Sequence, residues 1–115
     1  MNLPPVLALD TSQESVTLTL EIPPQLEAFA GHFPGHPILP GVVQIDWAMR
    51  FAALHLGITA RSARDFQVKF RKTICPHDVI SLVLQLDGHK NQLLFKYKSG
   101  DNVLSSGQLK LGARK

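Results

Sequence analysis

GVVQIDWAMRFAALHL, residues 41–56, decides how this chain of 115 residues has to fold. Its polar members are Gln44, Asp46, Arg50 and His55, so a helix drawn through it is apolar on most of its circumference. A helix of that kind belongs in a core, and some other element must cover it. The pair Pro40-Gly41 marks its start and Gly57 supplies a C-terminal stop.

Downstream of the helix the pattern changes to period two. Asp65 to Arg71 (DFQVKFR) and Gln92 to Lys98 (QLLFKYK) alternate, Val79 to Asp87 (VISLVLQLD) is β-branched and leucine-rich, and Val103 to Leu111 (VLSSGQLKL) alternates loosely. Turn-forming residues at Pro76-His77-Asp78, Gly88-His89-Lys90-Asn91 and Ser99-Gly100-Asp101-Asn102 link them, which predicts an antiparallel meander of four strands. Upstream, Ser15 to Ile22 (SVTLTLEI) adds a strand that ends at Pro23-Pro24. The predicted fold class is therefore α+β, a sheet curled around a single helix, in one domain over residues 1–115. At this size roughly two-thirds of the unfolded surface is buried, so sheet edges stay open and a dimer or higher homo-oligomer is expected.

Composition excludes several classes. With 44% hydrophobic and 18% charged residues the chain is neither disordered nor a disulfide scaffold. A single cysteine, Cys75, forms no internal disulfide and leaves no zinc spacing, so no metal site is expected. MNLPPVLALD lacks a basic leader and no apolar run is long enough to span a bilayer, which predicts a cytoplasmic protein without membrane association. Net charge is +3, with basic residues gathered from Arg61 to Lys72 and from Lys90 to Lys98. Nucleic-acid motifs and interleaved aromatics are missing there, so no nucleic-acid partner is expected.

The segment before the helix, GHFPGHPILPG (31–41), holds three prolines and three glycines in eleven residues. A backbone this restricted costs little entropy to order and can hold His32 in a fixed place. Gly41 then carries its N–H at the helix N-terminus, where orphan donors and the helix dipole favour developing negative charge, and no side chain of its own stands in the way.

GHFPGHPILPGVVQIDWAM (31–49) resembles the signature of the bacterial 3-hydroxyacyl-[acyl-carrier-protein] dehydratases, the FabZ/FabA-like enzymes of the hot-dog fold. VKFRKTICPHDVISLVLQL (68–86) resembles the F-K pattern and Pro-Gly-Asp turn of the same family, with His77 where the glycine usually sits. In length the chain is similar to the short stand-alone members, such as the ApeI-like ones of aryl polyene and polyketide pathways. The resemblance implies a hot-dog fold in which two protomers pack side by side. It pairs His32 with an acid fourteen residues on, Asp46, the two reaching one site from opposite protomers.

The implied reaction is loss of water from a 3-hydroxyacyl thioester, in fatty acid or polyene biosynthesis. It needs a base for the α-proton, an acid for the departing hydroxyl and a donor for the enolate-like oxygen. Imidazole titrates near neutrality and suits the base, His32. Asp46, in an apolar helix, is expected to stay protonated and serve as the acid. The N–H of Gly41 is expected to polarise the carbonyl, and Phe33, Pro40, Val42 and Arg50 to line or orient the substrate. No cofactor is required.

Acyl carrier proteins are acidic, and the resemblance assigns their docking to Arg61, Arg64, Lys69, Arg71 and Lys72. The family commonly has Gln where this chain has Arg50, and spacing of four puts Arg50 on the face of Asp46, where an ion pair holds a carboxylate deprotonated. That departure keeps two alternatives open: a hot-dog thioesterase, and a non-catalytic subunit in a heterodimer with another dehydratase-like chain. Trp47, Phe51 and Phe70 are expected in the core, Cys75 as a small buried hydrophobe, and the remaining histidines in structural or exposed places.

Overall fold

The computed structural model describes residues 3–25, 38–58 and 66–111, and the backbone alone of 63–65. In chain order these form β1 (Val6–Thr11), β2 (Ser15–Glu21), α1 (Gly41–Leu56), β3 (Ala63–Phe70), β4 (Val79–Asp87), β5 (Gln92–Ser99) and β6 (Asn102–Leu111). One antiparallel sheet contains all six strands in the order β1-β2-β4-β5-β6-β3. With one helix against a single curled sheet, this is the α+β hot-dog fold that the sequence predicts.

The helix lies over β2 and β4. Alternation explains why. Val16, Leu18 and Leu20 of β2 stand opposite Leu84, Leu82 and Ile80 of β4, and these continue into Leu93, Phe95 and Tyr97 of β5, all of them buried on one face. Against that face α1 sets Val43, Gln44, Trp47, Ala48, Phe51 and Ala52. Each fully buried aliphatic or aromatic side chain contributes about 1.5–3 kcal/mol, so the α1–sheet contact is the main apolar term in the fold. The helix ends as expected at Gly57, whose φ of 69° is the left-handed C-cap conformation.

Two features depart from the expected plan. A sixth strand, β1, pairs with β2, and its six residues are all exposed, so it has no alternation to betray it. The four strands after the helix do not form one meander. Only β4, β5 and β6 do, while β3 crosses to the far edge and pairs with β6, leaving β4 to pair with β2. Turn residues between β3 and β4 therefore serve a crossover, and the strand after the helix is an open sheet edge. Among the described residues no helix is long and apolar enough to cross a membrane.

The crossover turn is closely bonded. Asp78 accepts from the Cys75 N–H at 2.9 Å through its carboxylate, the His77 N–H donates to Ile22 at 2.8 Å, and the Ile22 N–H donates to Asp78 at 2.9 Å. Within it His77 sits at φ 72°, a left-handed conformation at the place where glycine is usual in similar sequences. A residue with a β-carbon pays about 1 kcal/mol there, partly returned because glycine gains freedom in the unfolded chain. His77→Gly is expected to raise the melting temperature by a few degrees. Calorimetry checks it, and a lower melting temperature would show that the imidazole makes contacts worth more than the strain.

Candidate active site

Helix α1 carries three of the described site residues on one stripe. Val42, Asp46, Arg50 and Leu54 follow one another at the four-residue spacing of a helix face, opposite the face that meets the sheet. In the single chain this stripe is open: Val42 is 75% and Leu54 66% exposed. The side chains of Asp46 and Arg50 are 50% and 42% exposed, and they approach to 3.6 Å. Among the described residues, the apolar surroundings expected for Asp46 are thus not furnished by its own chain, because the apolar surface of the helix faces the sheet and Asp46 faces away. An exposed i,i+4 pair of this kind contributes only a few tenths of a kcal/mol, so it does not lock Arg50 in place.

The start of the helix is built from backbone. Pro40 is the N-cap with no side-chain hydrogen bond, and its carbonyl accepts from the N–H groups of Val43 at 3.1 Å and Gln44 at 3.2 Å. Gly41 is less open than expected. A Cβ placed on it would lie 2.5 Å from Cζ of Phe70, so that ring, at the end of β3, occupies the space beside the glycine. Phe70 is accordingly not a core residue but 53% exposed, whereas Trp47 and Phe51 are buried as expected. Cys75 is half-buried rather than fully so.

His32, Phe33 and Arg61 lie outside the described residues, as does His36; for Arg64 only the backbone, in β3, is described. Of the other basic residues, Lys69 falls on the sheet face turned away from α1, by alternation with Phe70, and there it lines a shallow groove with Gln67, Gln85, Lys96 and Gln108. Arg71 and Lys72 follow Phe70 directly and are anchored by their N–H groups to Leu104 at 2.9 and 3.0 Å. They are exposed, and because Phe70 touches Gly41 they stand at the N-terminal end of α1. Among the described ones, Lys69 thus lies on the outer face of the sheet and Arg71 and Lys72 at the end of α1.

What sequence reasoning missed is the anchor behind the stripe. Gln44, two residues before Asp46 and 3% exposed, donates through Nε2 to the Leu39 carbonyl at 3.2 Å. Its Oε1 accepts from Ser105 Oγ at 2.7 Å, and its main-chain carbonyl accepts from the Tyr97 hydroxyl at 2.7 Å. A glutamine in an otherwise apolar helix face was the available signal, since a buried amide must find partners.

Burial first, and the charge of Asp46 second, hold the Tyr97 hydroxyl well above its usual value of 10.0. The folded chain therefore keeps this proton more tightly than the unfolded one. The associated stability is complete below about pH 10 and is lost as pH rises beyond it. Tyr97 is the only tyrosine in the chain. We expect tyrosinate absorbance in an alkaline titration to appear together with unfolding, and Tyr97→Phe to lose that pH dependence; tyrosinate forming near pH 10 in the intact fold would contradict it.

Residues 8–108 match the family described as ApeI-like, ApeI dehydratase. A 3-hydroxyacyl-[acyl-carrier-protein] dehydratase FabZ of Levilactobacillus brevis is 35% identical over 94 residues, which is 71% of this chain and 64% of that enzyme. The chain thus spans less than two thirds of the length of this relative. The FabZ of Chlamydia trachomatis is 34% identical over 116 residues, covering 90% of this chain and 76% of the other. Among solved structures, a chain of the dehydratase heterocomplex ApeI:P from Xenorhabdus doucetiae superposes with a TM-score of 0.83 at 32% identity, over 96% of this chain and 98% of that one.

Proposed function

This chain belongs to the ApeI-like family of hot-dog dehydratases, and from that premise we propose that it converts an (R)-3-hydroxyacyl thioester, carried on acyl carrier protein, to the trans-2-enoyl thioester. The observation that carries the reading is the position of Asp46 on an open helix face, five residues after the glycine that begins the helix. Five residues rise about 7.5 Å along the axis, and helical side chains lean toward the N-terminus, which shortens the gap. A thioester carbonyl near the Gly41 N–H then leaves the C3 hydroxyl, three bonds away, within reach of Asp46.

In this reading His32 removes the proton at C2 while the Gly41 N–H, aided by the helix dipole, stabilises the negative charge on the thioester oxygen. The electron pair closes the C2–C3 double bond, the C3–O bond breaks, and Asp46 gives its proton to the departing hydroxyl so that water leaves. Proton exchange with solvent resets both groups. Pro40, Val42 and Phe33 would line the acyl path. Arg71 and Lys72, at the same end of the molecule, would meet the acidic carrier protein, with Arg61, Arg64 and Lys69 as the further candidates.

The site needs a second protomer on this account. The exposed stripe of α1, Phe66 and Phe70 on β3, and the open edge of β3 are what a side-by-side partner would cover. A second reading has its own observation: Arg50 pairs with Asp46, and the similar Xenorhabdus doucetiae structure is a heterocomplex. On that reading this chain is a non-catalytic partner of another dehydratase-like subunit.

The test is formation of conjugated enoyl thioester from 3-hydroxyacyl carrier protein. Wild type is expected to turn over, and His32→Ala and Asp46→Asn each to lose about 100-fold or more in kcat. Wild type that is inert across chain lengths and with coenzyme A thioesters would overturn the proposal in favour of a partner subunit. Release of free thiol instead would favour a thioesterase.

A further inference from the structure

We propose that Gln44 is a positioning residue for this reaction: it fixes the rotation of α1 and the path of the chain into it, and thereby where Asp46 and the Gly41 N–H stand. The inference rests on the dehydratase reading above. It begins from a cost. An amide buried among apolar side chains is unfavourable unless its hydrogen bonds are made, and a leucine or methionine would fill the same space without that demand. Here both ends of the amide are satisfied, by Leu39 on one side and Ser105 on the other.

Those two bonds tie α1 to β6 on one side and to the segment that enters it on the other. Leu39 belongs to the segment that leads into α1, and its own N–H is tied to the Ile74 carbonyl at 2.8 Å. Its carbonyl is tied to Gln44, one helical turn further on. Ser105 sits at the middle of β6, opposite Tyr97 of β5, whose hydroxyl holds the Gln44 carbonyl. Strand, helix and incoming loop thus converge on one residue. Tyr97 and Ser105 act on the helix from the sheet; Leu39 transmits the setting to the loop.

Direction is what hydrogen bonds add. Apolar contact is non-directional and resists a small rotation of a helix weakly, whereas two aligned bonds define an angle. At a helix's outer radius of about 5–6 Å, a rotation of ten degrees moves a side chain by about 1 Å. A misplacement of about that size is enough to cost on the order of 100-fold in rate. Gln44 precedes Asp46 by two residues, which places it on the far side of the helix, so it acts from behind the reacting face and does not touch substrate.

Replacing Gln44 and Ser105 together by apolar groups of similar shape leaves neither side chain with an unmet hydrogen bond and releases the Leu39 carbonyl, so the informative variant is Gln44→Met combined with Ser105→Ala. Three quantities are read: kcat and KM for the 3-hydroxyacyl carrier protein, and amide exchange at Leu39 and Val43 against Leu82 and Leu84 of β4. We expect kcat to fall about tenfold or more with KM within about threefold. Exchange should quicken at Leu39 and Val43 and stay unchanged at Leu82 and Leu84. Unchanged kcat in the double variant, with an active wild type and an inactive Asp46→Asn, overturns the inference and leaves the dehydratase standing. If wild type is inert the dehydratase reading fails, and exchange then decides: quickened exchange keeps Gln44 as the anchor of the helix, and unchanged exchange overturns that as well. Ser105→Ala alone, which removes one bond only, gives a milder form of the same pattern should the double variant fold poorly.

Discussion

A helix that is apolar on most of its surface has to be covered, and one curled sheet can cover only one side of it. In this chain the sheet takes Val43, Trp47, Ala48, Phe51 and Ala52 and leaves Val42, Asp46, Arg50 and Leu54 facing outward. Both the stability of the fold and its chemistry follow from that division. The inward side supplies the core. The outward side, with the open edge of β3 beside it, is exposed in the single chain and carries the carboxylate proposed to react.

The same division explains the placement of the polar groups. Asp46 is tolerated because it points away from the core, and Gln44 because every hydrogen-bonding end of its side chain finds a partner. Arg50 follows Asp46 one helical turn on. Its guanidinium lies 3.6 Å from the Asp46 carboxylate on the outward stripe of the helix.

Much of this could be read in the sequence, and the exceptions share a cause. The bounds of α1, its stop at Gly57 and the strands β2, β4, β5 and β6 are legible because periodicity and turn chemistry are local properties. Strand pairing is not local: the turn after β3 looked like a hairpin and is a crossover, since a strand's own residues do not say which edge it will find. β1 escaped notice because an exposed edge strand needs no alternation. Asp46 was expected in apolar surroundings because its neighbours in sequence are apolar, yet burial depends on which face a residue takes and on what covers that face. Phe70 reads as core by composition, and its place over Gly41 is visible only in three dimensions.

The central claim, that the catalytic pair is completed across two protomers, is tested most directly by mixing inactive chains. Co-expressed His32→Ala and Asp46→Asn protomers, purified as the mixed dimer through two different tags, would carry one site with both changes and one with neither. The account predicts recovery of about half the wild-type activity per dimer, as the symmetry of two shared sites requires. A mixed dimer as inert as either parent would show that His32 and Asp46 of one site come from the same chain, and would contradict it.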